Sequence, residues 1–215
     1  MKIRTLSQLE QYIDSDLAKR KRSLTTLKFL FDGSQSKQHE NKVISLAGLC
    51  LIYGHWEGFV KYSGMCYTNY VSSQGLDYKS LSNGMVAVCF RTKLSGVRSS
   101  NKISLNREIV EILREHGNEK PTIPWKAAIE TYDNLNSEVL TEILIIIGCD
   151  PTEYATRFAF IDEKLIKFRN SIAHTGYDYE YESNDFLVIY SGVLSLLERF
   201  RNDVQDAANR KAYAI

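Results

Sequence analysis

The sequence is short of residues that interrupt helices. Only three prolines occur, Pro121, Pro124 and Pro151, and proline is the residue that breaks or kinks a helix from within. Strand-like alternation of β-branched residues is almost absent too, so long helices are expected. Cysteine is equally sparse. Cys50, Cys66, Cys89 and Cys149 each lie in an apolar run, with no C-x-x-C pair and no histidine at ligand spacing. That pattern predicts reduced, packed thiols and speaks against a zinc site.

Long hydrophobic runs are missing. The longest, Val43 to Tyr53 and Ile143 to Gly148, are too short to span a bilayer, and the opening MKIRTLSQLEQYIDSD has no contiguous apolar stretch. A cytoplasmic protein without a membrane partner is expected. An excess of charge of either sign is also missing: 27 Lys and Arg stand against 26 Asp and Glu, a formal charge of +1. No global field would hold a polyanion, so a nucleic-acid partner would require a locally concentrated basic surface. Repeats of fixed period, low-complexity segments, glycine-rich phosphate loops, G-x-S-x-G and H-E-x-x-H are all absent, which removes most enzyme classes with a readable signature.

What is present is helical periodicity. Leu6, Leu9, Tyr12, Ile13, Leu17, Leu24, Leu27 and Phe31 recur mostly at steps of three and four, and Asp32-Gly33-Ser34 ends the pattern. The segment from Glu40 to Val71 is apolar on more than one face, as the central helix of a bundle would be. Further helical patterns fall at about 80–94, 104–115, 125–132, 137–147, 152–174 and 185–209. With 215 residues, 44% of them hydrophobic, the chain can bury a substantial core. The expectation is one all-α domain over 1–215: an N-terminal helix in 1–38, a core bundle from 40–73 and 125–209, and a helical insertion at 78–120. The basic run Lys19-Arg20-Lys21-Arg22 reads as a solvated helix face, with phosphate contact as the alternative. Trp56, Phe59, Tyr62 and Tyr67 read as core packing at helical spacing, with base stacking as the alternative.

The four histidines, His39, His55, His116 and His174, are the candidates for acid–base work near neutral pH. Only His174, in FRNSIAH, has a suggestive neighbourhood. Asn170 and His174 are i and i+4 on one helix face, while Arg169 lies about 140° around the axis from His174 at about 100° per residue. A neutral imidazole can take a proton from a ribose 2′-hydroxyl, an arginine can stabilise charge developing on phosphate, and a carboxamide can orient either one. The bare Arg-to-His spacing is expected roughly 0.7 times by chance in this composition, so the surrounding residues must carry the argument. The same residues also admit a structural reading, in which His174 caps the helix end and Arg169 pairs with Glu57 or Asp162.

The segment LIKFRNSIAH resembles the R-N-x-I-A-H signature of HEPN domains, helical RNases and RNA-binding modules of prokaryotic toxin and anti-phage systems. LIYGHWEGFVKYSGMCYTNYV is similar to the first core helix, and DNLNSEVLTEILIIIGCD with FIDEKLIKFRNSIAH to the C-terminal half, of the MAE_28990/MAE_18760-like subfamily. The likeness carried by these segments runs from about 40 to 200. It implies an all-α, HEPN-like helical bundle with a middle insertion of short helices. It further implies a metal-independent endoribonuclease that needs no cofactor, with Arg169 and His174 as the catalytic pair and Asn170 as polar companion. RNA, a second copy of the chain in a homodimer, and an antitoxin or defence-system partner are the partners it implies. Glu57 and Lys61 resemble the acidic and basic residues that some of these families place near the site. Two departures stand out: many members read His-Gly where this chain reads His174-Thr175-Gly176, and Tyr177 comes one residue later than the tyrosine modified in some HEPN toxins. The alternative is a noncatalytic RNA-binding or protein-interaction module.

Overall fold

Thr5 starts the first helix. In the computed structural model its hydroxyl accepts the Gln8 N–H at 3.2 Å, and Gln8 Oε1 accepts the Thr5 N–H at 3.4 Å, a reciprocal capping box. The structure describes residues 2–100, 103–132, 134–175 and 183–215, without the side chains of 92–100, 105, 108, 174, 175 and 183. Helix α1 (Leu6–Gly33) runs as its periodicity predicts and buries Leu9, Ile13, Leu17, Leu24, Leu27 and Phe31. Helix α2 (Gln38–Gln74) follows after a short turn, and α8 (Ser183–Asn209) closes the bundle. Between them come α3 (Asn83–Ser100), α4 (Ile103–Glu115), α5 (Ser137–Ile147), α6 (Ala155–Ala159) and α7 (Lys167–Thr175). No strand occurs among the described residues; an isolated antiparallel bridge joins Leu81 to Ala214.

Helix α2 is the axis of the molecule. It packs on α1, α5, α7 and α8, which is why its sequence is apolar on several faces. Leu27 lies against Gly48 and Arg20 against Gly58, so α1 runs antiparallel to α2. Phe186 meets Gly48, Phe200 meets Trp56 and Phe59, and Tyr213 meets Tyr67 and Tyr70, so α8 runs parallel to it. Trp56, Phe59 and Tyr67 are fully buried, as the core reading expects. The edge-on pairs of Trp56 and Phe59 with Phe200, at centroid distances of 6.0 and 6.4 Å, each add about 0.5–1.5 kcal/mol beyond the area they bury. Helix α2 is also long and apolar enough to cross a membrane, but half of that stretch is buried by its neighbours.

The helix expected at 152–174 is continuous but not uniform. A 3₁₀ turn (Pro151–Tyr154), whose N-cap Asp150 accepts the Thr152 N–H, leads into α6, then a π-helical turn (Phe160–Ile166), then α7. Ile161, Leu165 and Phe168 are its buried side. The π turn winds its seven residues less tightly than α geometry, so the directions of the residues after it differ from those of a uniform helix.

The helix expected at 125–132 does not form. Residues 121–132 and 134–136 are irregular and laid along α2, with Ile123, Ala128, Ile129 and Leu135 buried. Part of its polar backbone finds partners outside itself: Thr68 Oγ1 lies 3.2 Å from Trp125 O, and Arg91 Nη1 donates to Ala128 O at 2.9 Å. Side chains from α2 and α3 thus meet some of its carbonyls, while turns within the strip, such as Ala127 N–H to Pro124 O and Asn134 N–H to Thr131 O, meet others.

The basic run divides as a helix face would. Arg20 bridges Asp16 at 2.5 Å and donates to His55 O, Lys21 pairs with Glu198, and Lys19 and Arg22 are exposed. The thiols are free of disulfides; Cys66 is buried and the other three half-buried.

Candidate functional site

Phe168 anchors α7 in the core, which leaves Arg169 and Asn170 on its half-buried flank. Arg169 faces α2. Its guanidinium carbon lies 5.1 Å from the centre of the Tyr53 ring, within cation–π range. Its Nη1 donates to Asn170 Oδ1 at 2.7 Å and to Asn134 Oδ1 at 3.3 Å. The neighbouring carboxamide oxygen is therefore one of the two acceptors of this arginine nitrogen.

The Tyr53 hydroxyl accepts the Leu135 N–H at 2.8 Å, and Glu57 follows one turn along α2. Burial, reinforced by the Glu57 charge and opposed by Leu135 N–H and Arg169, pushes the phenol up to about 12. It therefore stays protonated at neutral pH. Cys50, one turn earlier, is raised by burial and pulled back by Arg169. Asp162 accepts from both the backbone and the hydroxyl of Ser137. Asn136 caps α5 through the Val139 N–H at 2.8 Å. The Asp162 contact holds the start of α5 beside the π turn, and with it the strip that carries Asn134.

Arg169 thus lies over Tyr53 with Asn170 bonded to it, and Glu57 is one turn along α2 from Tyr53. Lys61 is exposed one turn beyond Glu57, and among the described residues no ion pair joins the two. His174 lies in the last turn of α7, its side chain outside the described atoms. Gly176 and the tyrosines at 177, 179 and 181 lie outside the described residues. The other three histidines lie elsewhere on the molecule: His55 bonds Ser23 Oγ at 2.9 Å, His116 pairs with Glu119 at 2.7 Å, and His39 is in the first turn of α2.

Sequence reasoning did not single out Tyr53 or Asn134 as site residues. Tyr53 carries a signal in retrospect, since it precedes Glu57 by one helical turn on a helix that runs against α7. Asn134 carries none, because its place depends on an irregular strip crossing to a distant helix.

An all-helical bundle with Arg169 and Asn170 half-buried on a helix packed against its central helix is the class this fold defines. The chain belongs to the HEPN family, in the MAE_28990-like group, and the match runs over residues 9–213. It therefore takes in α1 and the middle helices, beyond the 40–200 stretch on which the motif segments lie. No curated protein and no solved structure matches the chain. Family membership supports, in general terms, a nuclease- or RNA-related or defence role, and HEPN domains commonly dimerise and bind RNA.

Proposed function

We propose that the chain is a single-domain, metal-independent endoribonuclease of the HEPN type, a toxin or anti-phage effector acting in the cytoplasm. The observation that carries this reading is the mounting of Arg169: a guanidinium half-exposed on α7, fixed by two carboxamide oxygens and an aromatic face. A preorganised cation of this kind suits charge that develops on a phosphate in the transition state. In the proposed reaction the ribose 2′-oxygen bonds to phosphorus and the bond to the 5′-oxygen breaks, leaving a 2′,3′-cyclic phosphate. His174 takes the 2′-hydroxyl proton, and the leaving 5′-oxygen gains one from a second histidine or from water.

One imidazole cannot serve both oxygens at once, which is the reason to expect a homodimer. The outward side of α2 beside Cys50 and Glu57 supports that arrangement, since Val43, Ala47, Leu51 and Gly54 are exposed at helical spacing. A second copy seated there would bring its own Arg169 and His174 near the first pair.

Cleavage of a defined RNA in EDTA, with analysis of the ends, tests the reading. The expected result is cyclic-phosphate ends from the wild type, and binding without cleavage by His174→Ala. Equal cleavage by both proteins would remove His174 from the reaction. The contacts of Arg169 are also those of a structural arginine, and they favour a second reading: a noncatalytic module that binds RNA or a partner protein. Binding without cleavage by the wild type across broad RNA panels would establish it.

A further inference from the structure

We infer that Tyr53 and Asn134 are positioning residues for Arg169, fixing the plane and direction of its guanidinium from outside the RNxxxH motif. The inference rests on the ribonuclease reading for its consequence on rate, but its geometry stands apart from that reading.

Three observations carry it. First, the contact to Tyr53 is made by the ring face of a residue only 3% exposed, on the central helix of the bundle. A ring so deeply seated has little room to tilt, and a guanidinium lying over it inherits that fixed plane. Second, the ring is held at its far end as well, because the hydroxyl accepts the Leu135 N–H at 2.8 Å. Third, Asn134 is the residue immediately before Leu135, and its Oδ1 receives Arg169 Nη1 at 3.3 Å. The strip that clamps the tyrosine hydroxyl is therefore the strip that tethers the arginine.

Nη1 thereby has two carboxamide oxygens as acceptors, one from Asn170 on its own helix and one from Asn134 on the irregular strip. A guanidinium is a planar fork, so fixing one nitrogen and one face fixes the direction of the rest. In a reaction where the arginine meets charge that appears only in the transition state, this orientation affects the chemical step more than substrate binding. Tyr53 and Asn134 need not touch RNA to matter.

The test uses the full chain with Tyr53→Leu, Tyr53→Phe, Asn134→Ala and Arg169→Lys, alone and combined, under two readouts. On RNA, Tyr53→Leu should lower kcat about tenfold to a hundredfold with KM changed only a few-fold, and Tyr53→Phe, which keeps the ring face, should restore most of the loss. In the Arg169→Lys background the further effect of Tyr53→Leu should largely vanish, because a residue acting through another is non-additive with it. The second readout is the Arg169 side-chain N–H signal in NMR of arginine-labelled protein, which needs no activity. Ring-current shift and slow exchange in the wild type should be lost in Tyr53→Leu, and exchange should quicken in Asn134→Ala, which keeps the test open if the leucine variant does not fold. An Arg169 signal indifferent to both substitutions, or a full additional rate loss in the Arg169→Lys background, would overturn the inference. Wild-type protein that cleaves no RNA while the NMR dependence holds would remove the ribonuclease reading and leave the positioning intact.

Discussion

The Phe160 ring lies so close over Gly192 that a methyl group added there would come within 2.3 Å of its Cζ. Phe160 opens the π turn that leads into Arg169, and Gly192 is the point on α8 where the ring is received. The absence of a side chain on α8 thus sets the approach of the helix that bears the motif.

Replacing that glycine should therefore disturb both stability and site. Gly192→Ala is expected to cost about 1–3 kcal/mol, the usual penalty of overpacking a filled contact, as measured by urea denaturation. Phe160→Leu added to it should recover part of the loss, since the smaller side chain can vacate the space. Additive destabilisation by the two substitutions would show that the contact is not the source.

The irregular strip makes a second prediction. Arg91 donates to the carbonyls of Ala127 and Ala128 at 3.4 and 2.9 Å. Arg91→Ala should destabilise by about 1–2 kcal/mol. It should also speed amide exchange in residues 125–136 more than in α1 or α8. Uniform acceleration over the whole bundle would contradict a local role.

His55 provides a pH dependence. Burial, aided by the Arg20 charge and opposed by Asp16, holds its pKa below the ordinary value of 6.5. The unfolded chain therefore binds the proton more readily than the folded one. Its contribution is complete above about pH 6.5 and is lost as pH falls through the lowered folded value. His55→Gln should flatten the loss of stability between pH 7.5 and 5.5 relative to wild type. A steeper slope in the variant would mean the sign is wrong.

The thiols make a fourth. Burial raises Cys66 to about 12 and Cys89 and Cys149 to about 11. At neutral pH their thiolate fraction is very small, and the thiolate is the nucleophile. Native protein should label slowly with a disulfide reagent at these three positions, and all four cysteines should react on unfolding. Rapid native labelling of Cys66 would show that the interior around α2 opens readily.

The residues themselves show which parts of this molecule could be read without its structure. The spacing of Leu9, Ile13, Leu17, Leu24, Leu27 and Phe31 sufficed for α1, because an amphipathic stripe is a local property of the chain. The many-sided apolar pattern of α2 likewise marked the central helix, and FRNSIAH marked the place of Arg169, Asn170 and His174. Periodicity failed at 125–132. There the apolar residues are buried by α2, and carbonyl partners come from Thr68 and Arg91, which no local pattern reveals.

Sequence alone thus determined the helical class, the central helix, the family likeness and the one helix worth inspecting for chemistry. These depend on neighbours three, four or seven positions apart. Tertiary structure alone decided that Tyr53 lies beneath Arg169, that Asn134 reaches it from a strip with no regular structure, and that a π turn sets the direction of the motif. Those relations join residues far apart in the chain, and they arise only when several helices share one core and each buried polar group must find a partner within it.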